Sequence, residues 1–144
     1  MERKELNLSP ADGQVTYHVN GRADIAFNPT DAAFAQRVYD AFNKLADLYE
    51  RRKGSVGGDK DVEAVFAQLS QLDAETRALI DEALGEGLCE KVFGDMNVVA
   101  LADGLPVCLN LMLAVMDEID ESIARELELT NPRIAKYSAK YKKK

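Results

Sequence analysis

The sequence contains a single histidine and two cysteines. His18 lies in "QVTYHVNG", where strict alternation puts Val15, Tyr17 and Val19 on one face and His18 on the other, beside a turn. That is a solvent-facing position, and neither a Ser-His-Asp nor a Cys-His nucleophile can be built without this residue. Cys89 and Cys108 are not a C-x-x-C pair, and both sit in apolar surroundings. They read as small buried hydrophobes in a reducing compartment. "DKDVE" places Asp59, Asp61 and Glu63 at alternate positions, as a calcium loop begins. The sixth position is Ala64 instead of Gly, however, and the twelfth is Ser70 instead of an acid. The segment reads instead as the acidic first turn of a helix, complementing its dipole. "GSVGGDK" is glycine-rich but lacks the G-K-[S/T] ending of a phosphate loop. Asp117, Glu118, Asp120 and Glu121 read as the solvated face of a helix whose Ile119 and Ile123 point inward, with Glu121 and Arg125 spaced as a surface pair. No nucleophile, base, metal set or cofactor cradle emerges, so the expectation is a non-enzymatic protein without cofactor.

Positioning these residues falls to one domain of ordinary soluble composition. The chain is 47% hydrophobic and 30% charged over 144 residues, enough to build a core without metal or disulfide. "MERKELNLSP" has no apolar h-region and is not expected to be a signal peptide. The net charge of −7 is unevenly spread. Arg133, Lys136, Lys140, Lys142, Lys143 and Lys144 stand in an acid-free closing stretch. Without them 12 bases face 25 acids, so residues 1–130 carry −13 and the end carries +6. This asymmetry predicts a body, residues 1–130, with a basic flexible tail over 131–144.

Residues 14–19 and 23–27 predict two strands joined at "NG", the favoured pair for a type I′ turn, and "KELNL" at 4–8 predicts a third strand. The sheet therefore spans about residues 4–28, and helices fill about 30–129. "NPTDAAFAQRVYDAFNKLADLYERRK" predicts a long helix capped by Thr30 or Asp31, with Phe34, Val38, Phe42, Leu45 and Leu48 or Tyr49 inward. "GSVGG" at 54–58 is a hinge candidate. A second helix begins near Asp59, with a seam of Val62, Val65, Leu69, Leu72, Thr76, Leu79 and Ala83 at 3- and 4-residue steps. "GEG" ends it. Short helical turns are expected at 88–93 and at 97–102, then a helix from about 105 to 129 with Pro106 in its first turn. The fold class is thus α+β, mostly α: a small N-terminal sheet packed on a four- to five-helix bundle.

The last helix opens with "LPVCLNLMLAVM", residues 105–116, without a charge. At ~1.5 Å per residue it covers about 18 Å, short of the ~30 Å hydrocarbon core, so no membrane span is expected. It is apolar on nearly all sides, and such a helix must be sandwiched. Leu105, Leu109, Met112 and Met116 trace one face and are the expected partner-binding residues, in an oligomer of this chain or in a complex.

The stretch "VFGDMNVVALADGLPVCLNLMLAVMDEIDESIARE", followed by "NPRIAKYSAKYKKK", resembles the C-terminal half of small proteins from the tail-gene clusters of phages and prophages of Gram-positive bacteria. "FNPTDAAFAQRVYDAF" is similar to their first long helix. The resemblance covers residues 15–144 and rests on "FGD-N" followed by an apolar helix after "LP" and then "DE". It implies a tail assembly chaperone in the host bacterial cytoplasm. Such a protein binds the hydrophobic, helical tape-measure protein until tail-tube subunits polymerise around it. Two other readings stand beside it: a structural virion component, such as a tail-completion or connector subunit, and a nucleic-acid binder. The latter would use the lysine tail with Tyr137 and Tyr141 interleaved, against repulsion from the acidic body.

Overall fold

The computed structural model describes residues 2–7, 13–53, 61–129, 134 and 136–138. The elements run β1 (Val15–Val19), β2 (Ala23–Phe27), α1 (Ala32–Lys53), α2 (Val62–Leu84), α3 (Leu88–Phe93), β3 (Leu101–Ala102), β4 (Leu105–Pro106) and α4 (Val107–Glu128). The chain is α+β and mostly helical. The hinge candidate at 54–58 lies outside the described residues, as do Arg133, Lys140, Lys142, Lys143 and Lys144 of the basic tail.

The "NG" signal is honoured. Asn20 and Gly21 have φ of 51° and 71°, and Val19 pairs with Ala23, leaving Arg22 as one residue beyond a two-residue turn. The expected third strand is absent among the described residues: residues 2–7 are exposed and unpaired. The hairpin buries Ile25 and Phe27 on the helices. Phe27 stacks between Tyr17 and Phe34, with centroids 4.6 Å apart in both pairs, and this anchors the sheet on the start of α1. That helix starts where Asp31 accepts from the Ala33 amide at 3.0 Å. Phe34, Val38, Ala41, Leu45 and Leu48 are its buried positions, and Phe42 and Tyr49 are half-buried beside them.

The other two long helices, α2 and α4, are antiparallel neighbours of α1. Arg52 in its last turn pairs with Glu75 of α2 at 2.7 Å. Leu48 lies beside Ala78 and Leu79, and Ala41 lies beside Ala83. On the other flank Tyr49 meets Cys108 and Tyr39 meets Asp120 of α4. The end of α1 is thus level with the middle of α2, and the first turns of α2 overhang it. The α2 seam is corrected accordingly. Leu72, Thr76, Ile80 and Ala83 are buried, Ile80 replaces Leu79 at its centre, and Val62 is 64% exposed because α1 does not reach it.

Residues 97–102 do not form the expected helical turn. Asn97 accepts the Val99 amide through its own side chain at 2.9 Å, making a single turn. The chain then enters a second hairpin, β3 against β4, turned by Asp103 and Gly104 at φ 55° and 78°. Leu105 and Pro106 therefore belong to β4, and α4 starts at Val107. Its first amides are held by this loop: Val107 donates to the Ala100 carbonyl at 2.7 Å and Cys108 to the Val98 carbonyl at 3.0 Å. Ile119 is buried, but Ile123 is 37% exposed, contrary to its expected inward position.

Candidate interaction surface

His18 and Asp24 pair across the hairpin on its exposed face. Both cysteines are free and 0% exposed. Among the described residues no three His, Cys, Asp or Glu converge as a metal site. The Cys108 thiol shares a 2.9 Å hydrogen bond with the Tyr49 hydroxyl. The fully buried Thr76 hydroxyl lies against Tyr49 without a hydrogen bond of regular geometry. Burial raises the proton affinity of Tyr49, Cys89 and Cys108, and Asp81 beside Cys89 adds to it there, so all three groups stay neutral. These are core groups, not nucleophiles.

The densest polar construction ties α2 to the loop that follows it. Asp73, Arg77 and Asp81 are one turn apart on one helix face. Asp73 accepts the Val98 amide at 2.7 Å and pairs with Arg77 at 3.1 Å. Arg77 donates to the Gly94 and Met96 carbonyls at 2.7 and 2.8 Å, and Asp81 accepts the Cys89 amide at 2.9 Å. Asn97 completes the tie by donating to the Leu69 carbonyl at 3.1 Å. "FGD-N" is therefore a strap that sets the start of α4.

The four residues expected to meet a partner divide. Met112 is 0% exposed and belongs to the core, so it cannot serve as contact surface in the folded chain. Leu109 and Met116 are half-buried against the core, and Leu105 is half-buried in β4. What they border is longer than the sequence reading foresaw. Leu109, Leu113, Met116, Asp120, Ile123 and Leu127 recur at 4-3-4-3-4 spacing, a single stripe along α4. Its exposure grows from half-buried Leu113 to 37% at Ile123 and 81% at Leu127. The signal was present as Leu113 inside the apolar block and Ile123 and Leu127 continuing the heptad past the charged run. Tyr39 of α1 reaches the stripe, and its hydroxyl donates to Asp120 at 3.1 Å. Partial desolvation, reinforced by Asp120, raises the Tyr39 pKa. Asp117, Glu121 and Glu128 follow the stripe on its outer edge, all exposed. The single basic side chain of α4, Arg125, points away and donates to Ser122 at 3.2 Å. Of the tail, Lys136 is exposed and sits 5.4 Å from the centre of the Tyr137 ring.

No protein-family model matches the chain, and no curated protein and no solved structure matches it.

Proposed function

We propose that this protein is a tail-assembly-chaperone-like protein that docks an amphipathic helix of a tape-measure protein along the partly exposed stripe of α4, beside α1. The observation that carries the reading is the heptad stripe Leu109–Leu113–Met116–Asp120–Ile123–Leu127, apolar except at Asp120, open to solvent toward its end and edged by acids. A helix laid along it buries its own 3–4 apolar spacing, and basic residues on that helix meet Asp117, Asp120 and Glu121. The resemblance of residues 15–144 to tail-cluster proteins supplies the setting, the host bacterial cytoplasm, and the tail-tube protein as a second contact. Among the described residues no helix is long and apolar enough to cross a membrane.

Co-expression with a tape-measure fragment tests it. Leu113→Glu and Ile123→Glu should each cut co-purification at least tenfold, because a charge buried in the contact is left unpaired. Both sites are partly solvated, so thermal melting should move little. Failure of the wild-type protein to capture the fragment would remove the proposal. Stoichiometric recovery of the protein from purified virions would replace it with a structural virion role.

A further inference from the structure

The closing stretch of the chain has the composition of a ligand for the α4 stripe. The helix α4 ends at Glu128, and Leu129 leaves it in extended backbone, with φ −75° and ψ 140°. Pro132 follows, a residue that stops a helix from running on. Beyond it Ile134 and residues 136–138 are helical and exposed. In "NPRIAKYSAKYKKK" the large apolar side chains Ile134, Tyr137 and Tyr141 fall at 3- and 4-residue steps, one face of a helix. Every charged side chain in the stretch is basic, +6 in all. The outer end of α4 is its complement. Asp120, Ile123 and Leu127 are exposed at 3- and 4-residue steps, the small Ala124 lies between them, and Asp117, Glu121 and Glu128 stand along the same stretch.

We propose that residues 131–144 fold back on this end of α4 at low ionic strength and close it, in the place a partner helix takes. Reversal after Leu129 sets the closing helix antiparallel to α4. Ile134 and Tyr141 are as far apart in sequence as Asp120 and Leu127, about 10 Å along a helix at ~1.5 Å per residue, so the two runs match in length. Ile134 then meets Leu127, Tyr137 meets Ile123, and Tyr141 meets Asp120, whose carboxylate already accepts the phenol of Tyr39 at 3.1 Å. Lys140 and Lys142 come beside Asp117, Asp120 and Glu121. Charge drives the docking, because residues 1–130 carry −13 and the segment +6. The apolar contact is a few side chains deep and does not hold alone: in the open form described above Ile134 is 67% and Tyr137 49% exposed. As a brake on partner binding the contact rests on the function proposed above, but its formation does not.

A nitroxide on Ser138→Cys reads the contact in the full chain without any partner. Both native thiols are buried and leave the new one to react. At an ionic strength of ~0.01 M the amide signals of residues 117–123 should broaden and those in the middle of α2 should not. Near ~1 M salt the broadening should fall away. Lys140→Glu, Lys142→Glu and Lys143→Glu together should abolish it in dilute salt with melting unchanged. No broadening of α4 in dilute salt would overturn the proposal, and so would equal broadening over the whole acidic surface. Transfer of the broadening to unlabelled chains in a mixture would overturn it too, by giving the face to a second copy. The brake is read with a tape-measure fragment. Ile134→Ser with Tyr137→Ser keeps every charge, and it should tighten binding about threefold or more in dilute salt, because the face is no longer closed for part of the time. Near ~1 M salt it should change nothing. Equal affinities in dilute salt would overturn the brake. Failure of both chains to bind the fragment, with the broadening in place, would remove the chaperone reading and leave the fold-back contact standing.

Discussion

Tyr49, Cys108 and Cys89 show what single side chains do in the interior. All three are held neutral by burial, with proton affinities above those of free phenol and thiol groups. A raised pKa in the folded chain stabilises the fold fully below the unfolded pKa, and that stability is lost as pH rises above it. Unfolded thiols titrate near pH ~8.5 and phenols near pH ~10. The urea midpoint should therefore be flat from neutral pH to about 8.5 and fall steadily beyond it. Replacing Cys89 by Ala should flatten the first part of that fall. At neutral pH neither thiol should react with an aromatic disulfide reagent until the chain unfolds. A midpoint constant through pH ~10 would contradict neutral burial of these groups. His18, by contrast, pairs with Asp24 where both side chains are more than half exposed, and a surface pair of that kind contributes little.

At the scale of elements, the strap from α2 to residues 94–98 is the feature on which the start of α4 depends. Asp73→Ala removes the acceptor of the Val98 amide and frees Arg77, which holds two loop carbonyls. Leaving these groups unsatisfied costs about 1–3 kcal/mol. Amide exchange at Val98 should quicken at least tenfold, while exchange in the middle of α1 follows only the global loss. Equal effects at both places would mean that the strap is not a local device. The strap was hard to read in the sequence because Asp73, Arg77 and Asp81 have the i, i+4 spacing of any solvated helix face. The first hairpin and α1 were legible, since period-2 alternation around "NG" and 3.6-residue spacing after Asp31 each admit one reading. The second hairpin was equally signalled by Asp103-Gly104, but two-residue strands are too short for periodicity to register, and "NVVALA" looks as helical as extended. The exposed stripe of α4 was half legible. Leu109 and Met116 border it, but which side of an all-apolar helix is buried depends on where α1 lies, and that sent Met112 to the core.

Over the whole molecule, the core and the charge are arranged separately. The buried apolar residues run from Ile25 to Ile119, and the deepest contacts link α1 to α2 on one side and to α4 on the other. The closing basic stretch follows that core and supplies no buried residue among those described: Ile134 is 67% and Tyr137 49% exposed. Removing residues 131–144 should therefore leave the melting temperature within a few degrees, the shift that ~1 kcal/mol produces in a domain of this size. Its electrostatic effect should be larger than its structural one. The shortened chain carries −13 in place of −7, so like charge is concentrated on the remaining surface. At an ionic strength of ~0.01 M, where the Debye length is about 30 Å, the tail's +6 attracts the acidic body and offsets part of its self-repulsion. The full chain should then be the more stable of the two at low salt. The difference should vanish near ~1 M salt, where screening shortens the range to about 3 Å. Paired melting curves of the two chains across that salt series check this. A gap that persists at high salt would mean that the tail packs on the body through apolar contacts, with Ile134, Tyr137 and Tyr141 the residues to examine next.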